Sequence, residues 1–286
     1  MSLLSEYSEE DRKFSCSLYP KLHQSPDNVI QNFISHQLQC MSELLATYEH
    51  ELDVPYGDQS TANDRQQFDV WFPKNGEKFR KIHIFIHGGY WQEGSRKSSA
   101  SVPPTFLVHG YTVITLGYTL ASEIPLEEVV DLVRRGVKDI IHNHPTAEFS
   151  ISGHSAGGHL AAKVLEVEEL RINMNAGLLI APIFDIRPLV ETYIGRGIRL
   201  TEETAEKCSV KLKELAKFEG TLAIINAKHD APGLLEQAAE IHNELLKIGK
   251  VDVIKEEFDE DHFSILGVLS NTTSTVSEWV QAFVQS

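Results

Sequence analysis

The sequence predicts an α/β fold in which a mostly parallel central sheet carries helices on both faces. Two observations carry this. From about residue 80 onward, short β-branched runs alternate with longer amphipathic ones, the pattern of repeated strand–helix units. The short runs are also Val/Ile/Leu-rich throughout, without polar alternation, as strands buried on both faces require. A chain of 286 residues is long for a small domain but ordinary for one large α/β unit. No internal repeat or low-complexity tract divides it, so a single domain over residues 1–286 is expected.

Taken in order, residues 1–60 read as a helical extension packed on that domain, with a long helix over Pro26–His50. Gln66–Phe72 reads as an antiparallel edge strand. The buried strands are Ile82–Ile86, Tyr111–Leu116, Glu148–Ser152, Gly177–Ala181, Thr221–Asn226 and Val251–Glu257. Helices are expected over Pro125–Asn143, with proline in the first turn, directly after Ser155, over Leu234–Ile248 ended by Gly249, and over Phe263–Phe283. One connection is oversized. Asp185–Glu219 is charged and partly helical between two buried strands, and it reads equally as a lid or as a long crossover.

Composition narrows the function. The hydrophobic share of 42% and charged share of 23% are those of a globular protein. A net charge of −15 repels phosphate backbones and anionic lipid surfaces, so neither nucleic acid nor membrane is an expected partner. The longest apolar stretch, Ala176–Phe184, falls far short of the roughly 18 residues that span a bilayer. The opening MSLLSEYSEEDRK carries acids where a secretory signal needs a basic end, and a cytoplasmic location is expected. Cys16, Cys40 and Cys208 are too scattered for a disulfide framework or a zinc site. The glycan-like triplet Asn271-Thr272-Thr273 reads instead as a helix start.

The chemistry concentrates at three places. Gly153-His154-Ser155-Ala156-Gly157 fits G-x-S-x-G, with a strand-like run before it and a helix-like run, Gly158 to Val164, after it. A turn tight enough to present the serine at a helix N-terminus needs small residues on both flanks, and this context points to Ser155 as a nucleophile. Earlier, His87-Gly88-Gly89-Tyr90-Trp91 ends a strand. Glycine N–H groups at Gly88 and Gly89, with that of Ala156, could donate to an oxyanion. Tyr90 and Trp91 either line an aromatic pocket or pack the loop.

A base and an acid should follow the last strands in the order Ser, Asp, His. Asp230 follows Thr221–Asn226, and His262 follows Val251–Glu257. The rivals are His229 as base and Asp259 or Asp261 as acid, although those carboxylates sit close in sequence to His262 for an orienting side-on bond. The remaining histidines have plainer positions: His83 within a strand, His109 and His242 on helices, His142 and His144 at a helix end.

These residues resemble a known family. HGGYW (His87–Trp91), Gly117-Tyr118-Thr119-Leu120-Ala121 and GHSAGGHLAA (Gly153–Ala162) look like the kynurenine formamidases, or arylformamidases, of the α/β-hydrolase superfamily. The resemblance covers residues 80–286 best. The related hormone-sensitive-lipase-like esterases have a third glycine where this chain has Tyr90. The resemblance implies an α/β-hydrolase fold and a triad of Ser155, Asp230 and His262. It also implies an oxyanion hole of Gly88, Gly89 and Ala156, and no metal or cofactor. The implied substrate is a small aromatic formamide, N-formyl-L-kynurenine, cleaved to L-kynurenine and formate. A homodimer is admissible. The competing expectations are a general carboxylesterase of the same fold and, further off, a non-catalytic binding protein on this scaffold. Arg187, Arg196 and Glu191 are candidates for the substrate's polar end, or plain surface charges.

Overall fold

A computed structural model describes residues 7–22, 24–57 and 63–285. The ends of the expected N-terminal extension, residues 1–6 and 58–60, lie outside the described residues, as does much of the opening segment read for a signal.

Within the described residues the helices are α1 (Glu9–Phe14), α2 (Pro26–Thr47), α3 (Pro103–Leu107), α4 (Leu126–Asn143), α5 (Ala156–Leu165), α6 (Glu168–Arg171), α7 (Tyr193–Gly197), α8 (Glu202–Cys208), α9 (Leu212–Leu215), α10 (Pro232–Ile248), α11 (Ser264–Gly267) and α12 (Thr275–Gln285). The strands are β1 (His50–Pro55), β2 (Gln67–Trp71), β3 (Lys81–Ile86), β4 (Thr112–Leu116), β5 (Glu148–His154), β6 (Met174–Ile180), β7 (Thr221–His229) and β8 (Asp252–Asp261). They form one sheet in the order β1-β2-β4-β3-β5-β6-β7-β8. From β4 to β8 every pairing is parallel, and only β2 runs against its neighbours.

The central strands are apolar because both faces are covered. Ile82, Ile84, Phe85 and Ile86 of β3 are all fully buried. On one face α4 lays down Leu126, Val129, Val130, Val133, Val137 and Ile140, spaced three or four apart as a helical stripe requires. On the other, α3, α12 and the inner side of α2 pack over Phe85, Val113 and Ile225. No helix among the described residues is long and apolar enough to cross a membrane.

Four expectations change. Gln67–Trp71 is antiparallel but is not the edge, since β1 pairs outside it from His50↔Trp71 to Pro55↔Gln67. The long helix α2 stops at Thr47, and His50 already belongs to that edge strand. The stretch expected as one helix over Phe263–Phe283 is broken. After α11 and a short 3-10 turn, Val268–Ser270, the Asn271 side chain accepts the Thr273 N–H, and Ser274 then caps α12 through the Ser277 N–H. His109 sits in the turn after α3 and not on the helix.

Asp185–Glu219 is the β6–β7 crossover, folded into three short helices and a 3-10 turn. Gln237 of α10 holds its start, accepting from the N–H groups of Phe184 and Asp185 and donating to the Asp185 carbonyl. Its apolar residues, including Ile186, Leu189, Ile194 and Leu215, are buried.

Candidate active site

The nucleophile elbow is built by backbone proximity. β5 ends at His154, α5 starts at Ala156, and Ser155 between them has φ 55° and ψ −120°. This is a costly conformation for a residue with a Cβ, on the order of 1–3 kcal/mol, and it persists only where the surroundings enforce it. Here they do. A Cβ on Gly153 would lie 2.1 Å from the Gly157 carbonyl oxygen, and one on Gly157 would lie 2.1 Å from that of Ile86. No side chain fits at either flank. The Ser155 N–H donates to the Ile180 carbonyl at 2.8 Å, which ties the turn to β6.

The loop after β3 lies directly against this turn. A Cβ on Gly88 would come within 2.7 Å of the His154 carbonyl oxygen and 3.1 Å of the Ser155 Cβ. Gly89, at φ +112°, is in a region closed to side chains. None of the N–H groups of Gly88, Gly89 and Ala156 donates to an acceptor among the described residues. The loop is braced from behind by the Gly117–Ala121 stretch. The Tyr118 ring stacks on His87 at 4.2 Å, its hydroxyl donates to the His87 carbonyl, and the Ala121 N–H donates to that of Trp91.

Asp230 and His262 arrive from the ends of β7 and β8. His262 Nδ1 and Asp230 Oδ2 are 2.8 Å apart, with both side chains buried. Because the carboxylate accepts, the ring proton sits on Nδ1 and Nε2 is left as the basic nitrogen. Burial alone would pull the His262 pKa down, but the charge and hydrogen bond of the Asp230 carboxylate, together with the neighbouring Cys16 sulfur, hold the ring well above its ordinary 6.5. The base loop is pinned at both ends. Asp261 accepts from the N–H groups of Phe263, Ser264 and Lys21, and His154 Nε2 donates to the His262 carbonyl at 2.8 Å. The rivals are elsewhere: His229 and Asp259 pair with each other at 2.9 Å on the exposed rim.

The fold that brings these residues together is shared with solved structures. A protein assigned as a thioesterase from Silicibacter sp. superposes with a TM-score of 0.79, at 20% identity, over 97% of this chain and 99% of its own. The hyperthermophilic esterase of Pyrobaculum calidifontis matches with a TM-score of 0.69, at 17% identity, over 90% and 92%. The chain has the α/β-hydrolase fold. A family model described as BD-FAE matches residues 68–178 of the chain. Over most of its length the chain is similar to proteins named kynurenine formamidase. That of Danio rerio is 28% identical across 85% of this chain and 84% of its own length, and that of Salmo salar 26% identical across 90% of each.

The two aromatic residues of HGGYW have different surroundings from those of a pocket wall. Trp91 is fully buried, its indole N–H donating to His159 Nδ1, and packs the loop onto α5. Tyr90 turns toward the N-terminal segment, its hydroxyl donating to the Phe14 carbonyl and accepting the Cys16 N–H. Arg187 is exposed and paired with Asp185 and Glu206, and the exposed Arg196 donates to the Glu191 carbonyl.

Two residues of the candidate site escape sequence reasoning. His154 is the variable position of G-x-S-x-G. Burial first, and the neighbouring His262 charge second, keep its pKa well below the ordinary value, so it is a neutral ring that donates from Nε2. Cys16 brings its sulfur to the Asp230–His262 pair: Cys16 Sγ, a His262 ring nitrogen and an Asp230 oxygen all lie within 4.8 Å of one another. Burial raises its pKa, so the thiol is neutral. No motif surrounds Cys16, and no sequence signal could have found it.

Proposed function

We propose that this hydrolase cleaves the formamide of N-formyl-L-kynurenine to L-kynurenine and formate, a step of tryptophan catabolism, in the cytoplasm. The similarity to kynurenine formamidases of fish over most of both chains carries this reading. The site chemistry is compatible with it. Ser155 gives its proton to His262 Nε2 and attacks the formyl carbon. The oxyanion is met by the N–H groups of Gly88 or Gly89 and of Ala156, each such donor contributing roughly 3 kcal/mol to the transition state. His262 then protonates the departing aniline nitrogen. An anilide leaves more readily than an alkyl amide, because the ring delocalises the nitrogen lone pair. Water activated by the same histidine releases formate. All groups in this sequence belong to the chain, and the only partner it calls for is the small aromatic substrate.

A general carboxylesterase is the second reading, favoured by the esterases among the matching structures. Purified protein assayed on N-formyl-L-kynurenine and, in parallel, on p-nitrophenyl acetate separates the two. Efficient formamide turnover, lost by at least about 10⁴-fold in Ser155→Ala with the fold intact, is the expected result. Turnover of the acetate alone would overturn the formamidase reading and keep the triad. Activity retained in Ser155→Ala would overturn the triad.

A further inference from the structure

The helix α2 differs from the rest of the surface in what it shows to solvent. Its inner side is occupied: Val29, Gln37, Cys40 and Leu44 are buried, and the Gln37 amide both donates to the Ser101 hydroxyl and accepts its N–H. Beside that buried side runs a second apolar row, Ile30, Ile34, Leu38, Met41 and Leu45. Spacings of four, four, three and four residues keep all five within about 80° of the helix circumference and along about 22 Å of its length. Met41 is half-buried, but Ile30, Ile34, Leu38 and Leu45 are 37%, 51%, 66% and 42% exposed, so no described element covers them. Charge is scarce on this helix as well. With histidine neutral, Asp27 and Glu43 are the only charged residues among its 22, whereas seven of the 18 in α4 are charged.

We propose that a second copy of this chain docks on the outer side of α2, the two helices crossing antiparallel about a two-fold axis near Leu38. The inference is independent of the reaction catalysed. Three features select this occupant. A chain with a net charge of −15 repels its own copy over most of its surface, and an uncharged apolar strip is where two such chains can meet. The row is also close to self-complementary, as a two-fold contact demands. With Leu38 facing its own copy, Ile30 falls opposite Leu45 of the second chain and Ile34 opposite Met41. Finally, the two ends of the row differ in charge. Asp27 stands in the first turn of α2, while at the far end Lys74 lies over the ring of Tyr48, the residue that follows the helix, with Nζ 5.3 Å from the centroid. The adjacent Glu49 is already paired with Lys78 at 2.6 Å. Antiparallel docking brings Asp27 to Lys74 of the other copy at both ends; parallel docking would set like charge against like. The four exposed side chains present roughly 350 Å², a little under half of the about 800 Å² that each partner gives to a stable dimer. Gln31, Ser35, Ser42 and Ala46 beside them are exposed and uncharged, which extends the face and sets the expected affinity in the micromolar range.

Sedimentation equilibrium of the full chain, from about 1 to about 100 µM, tests this. The mass at the top of that range should be twice the 32.1 kDa of one chain. Leu38→Glu sets two carboxylates face to face at the axis and should raise the dissociation constant at least about 100-fold. Its circular dichroism and unfolding midpoint should match the wild type, because the side chain it replaces is exposed. Asp27→Lys and Lys74→Asp should each weaken the dimer several-fold, and the two together should restore it. A single-chain mass at every concentration would overturn the proposal. A dimer that survives Leu38→Glu in folded protein would do the same, by placing the contact elsewhere. Charge substitutions that fail to compensate each other would overturn the antiparallel arrangement.

Discussion

Ser155 and His262 are neighbours in space but are held by different means. Around Ser155 the constraint is backbone against backbone: glycine positions 153 and 157 have carbonyl oxygens where a Cβ would stand, and the serine's own left-handed conformation follows from that crowding. Around His262 the constraint is a set of side-chain hydrogen bonds, from Asp230 to its ring, from His154 to its carbonyl, and from Asp261 to the turn that follows it. Crowded backbone cannot be tuned without breaking the turn. Hydrogen-bonded side chains can be exchanged one at a time, and each exchange should alter rate or pH dependence more than folding.

The largest expected effect breaks the first half of this comparison. Gly157→Ala places a methyl group 2.1 Å from the Ile86 carbonyl oxygen and 2.5 Å from that of His87, both backbone atoms of a central strand and its loop. Overpacking of this kind costs about 1–3 kcal/mol where side chains can shift, and more where only backbone can. Urea unfolding should therefore show a loss of at least about 3 kcal/mol, or no folded protein. A variant of wild-type stability would mean that the elbow is far more pliant than its contacts imply.

The second half is sharpened at Asp230. Asp230→Asn keeps the shape but no longer fixes the proton on His262 Nδ1, and kcat should fall by about 10⁴ with little change in the unfolding midpoint. The same bond sets the acid limb of the pH profile. Asp230 holds the His262 pKa above the ordinary 6.5, and the base works only when neutral, so kcat/KM of the wild type should rise with pH through a midpoint above 6.5. In Asp230→Asn the residual activity should titrate at lower pH, because the charge that favoured the imidazolium is gone. An acid limb at the same pH in both proteins would show that Asp230 does not set the ionisation of the base.

His154 offers a milder case. His154→Phe leaves the His262 carbonyl without its donor in a buried site, which costs about 1–3 kcal/mol. If the bond aligns the base, the loss should fall mainly on kcat, by roughly 10- to 100-fold, with KM nearly unchanged. A purely structural role would instead lower the unfolding midpoint and leave the kcat of the folded fraction intact.

The same contrast explains what could be read from the sequence. Features built by backbone sterics leave local marks: two glycines around a serine, a strand-like run before and a helix-like run after located Ser155, and HGG after a strand located the loop that touches it. The pairing of Asp230 with His262 could be anticipated because the fold fixes the order of the strands that carry them. The central strands were legible because burial on both faces demands continuous apolar runs. The rest was decided by partners distant in sequence. β1 is mostly exposed and carries no continuous apolar run, so nothing in His50–Pro55 announces a strand until β2 is beside it. The break between α11 and α12 depends on the Asn271 and Ser274 side chains bonding locally, which outweighs the apolar periodicity around them. His154 had the form of a free position in a motif, and Cys16 that of an isolated thiol.

The smallest expected effect is at Tyr90, where the chain departs from the three-glycine form of the related esterases. Its backbone, at φ +50°, keeps the turn that a glycine would make, while its hydroxyl reaches the N-terminal segment at Phe14 and Cys16. Tyr90→Phe preserves the ring and removes both hydrogen bonds, leaving the Phe14 carbonyl and the Cys16 N–H to find other partners. The cost to global stability should be only about 1 kcal/mol. The local cost falls on one segment, so amide exchange at Phe14–Leu18 should accelerate while that of β3 and β5 stays unchanged. Exchange that accelerates equally in both regions would mean that Tyr90 serves the core. Unchanged exchange in both would mean that packing of Phe14 on Gly233, rather than the hydroxyl, holds the segment in place.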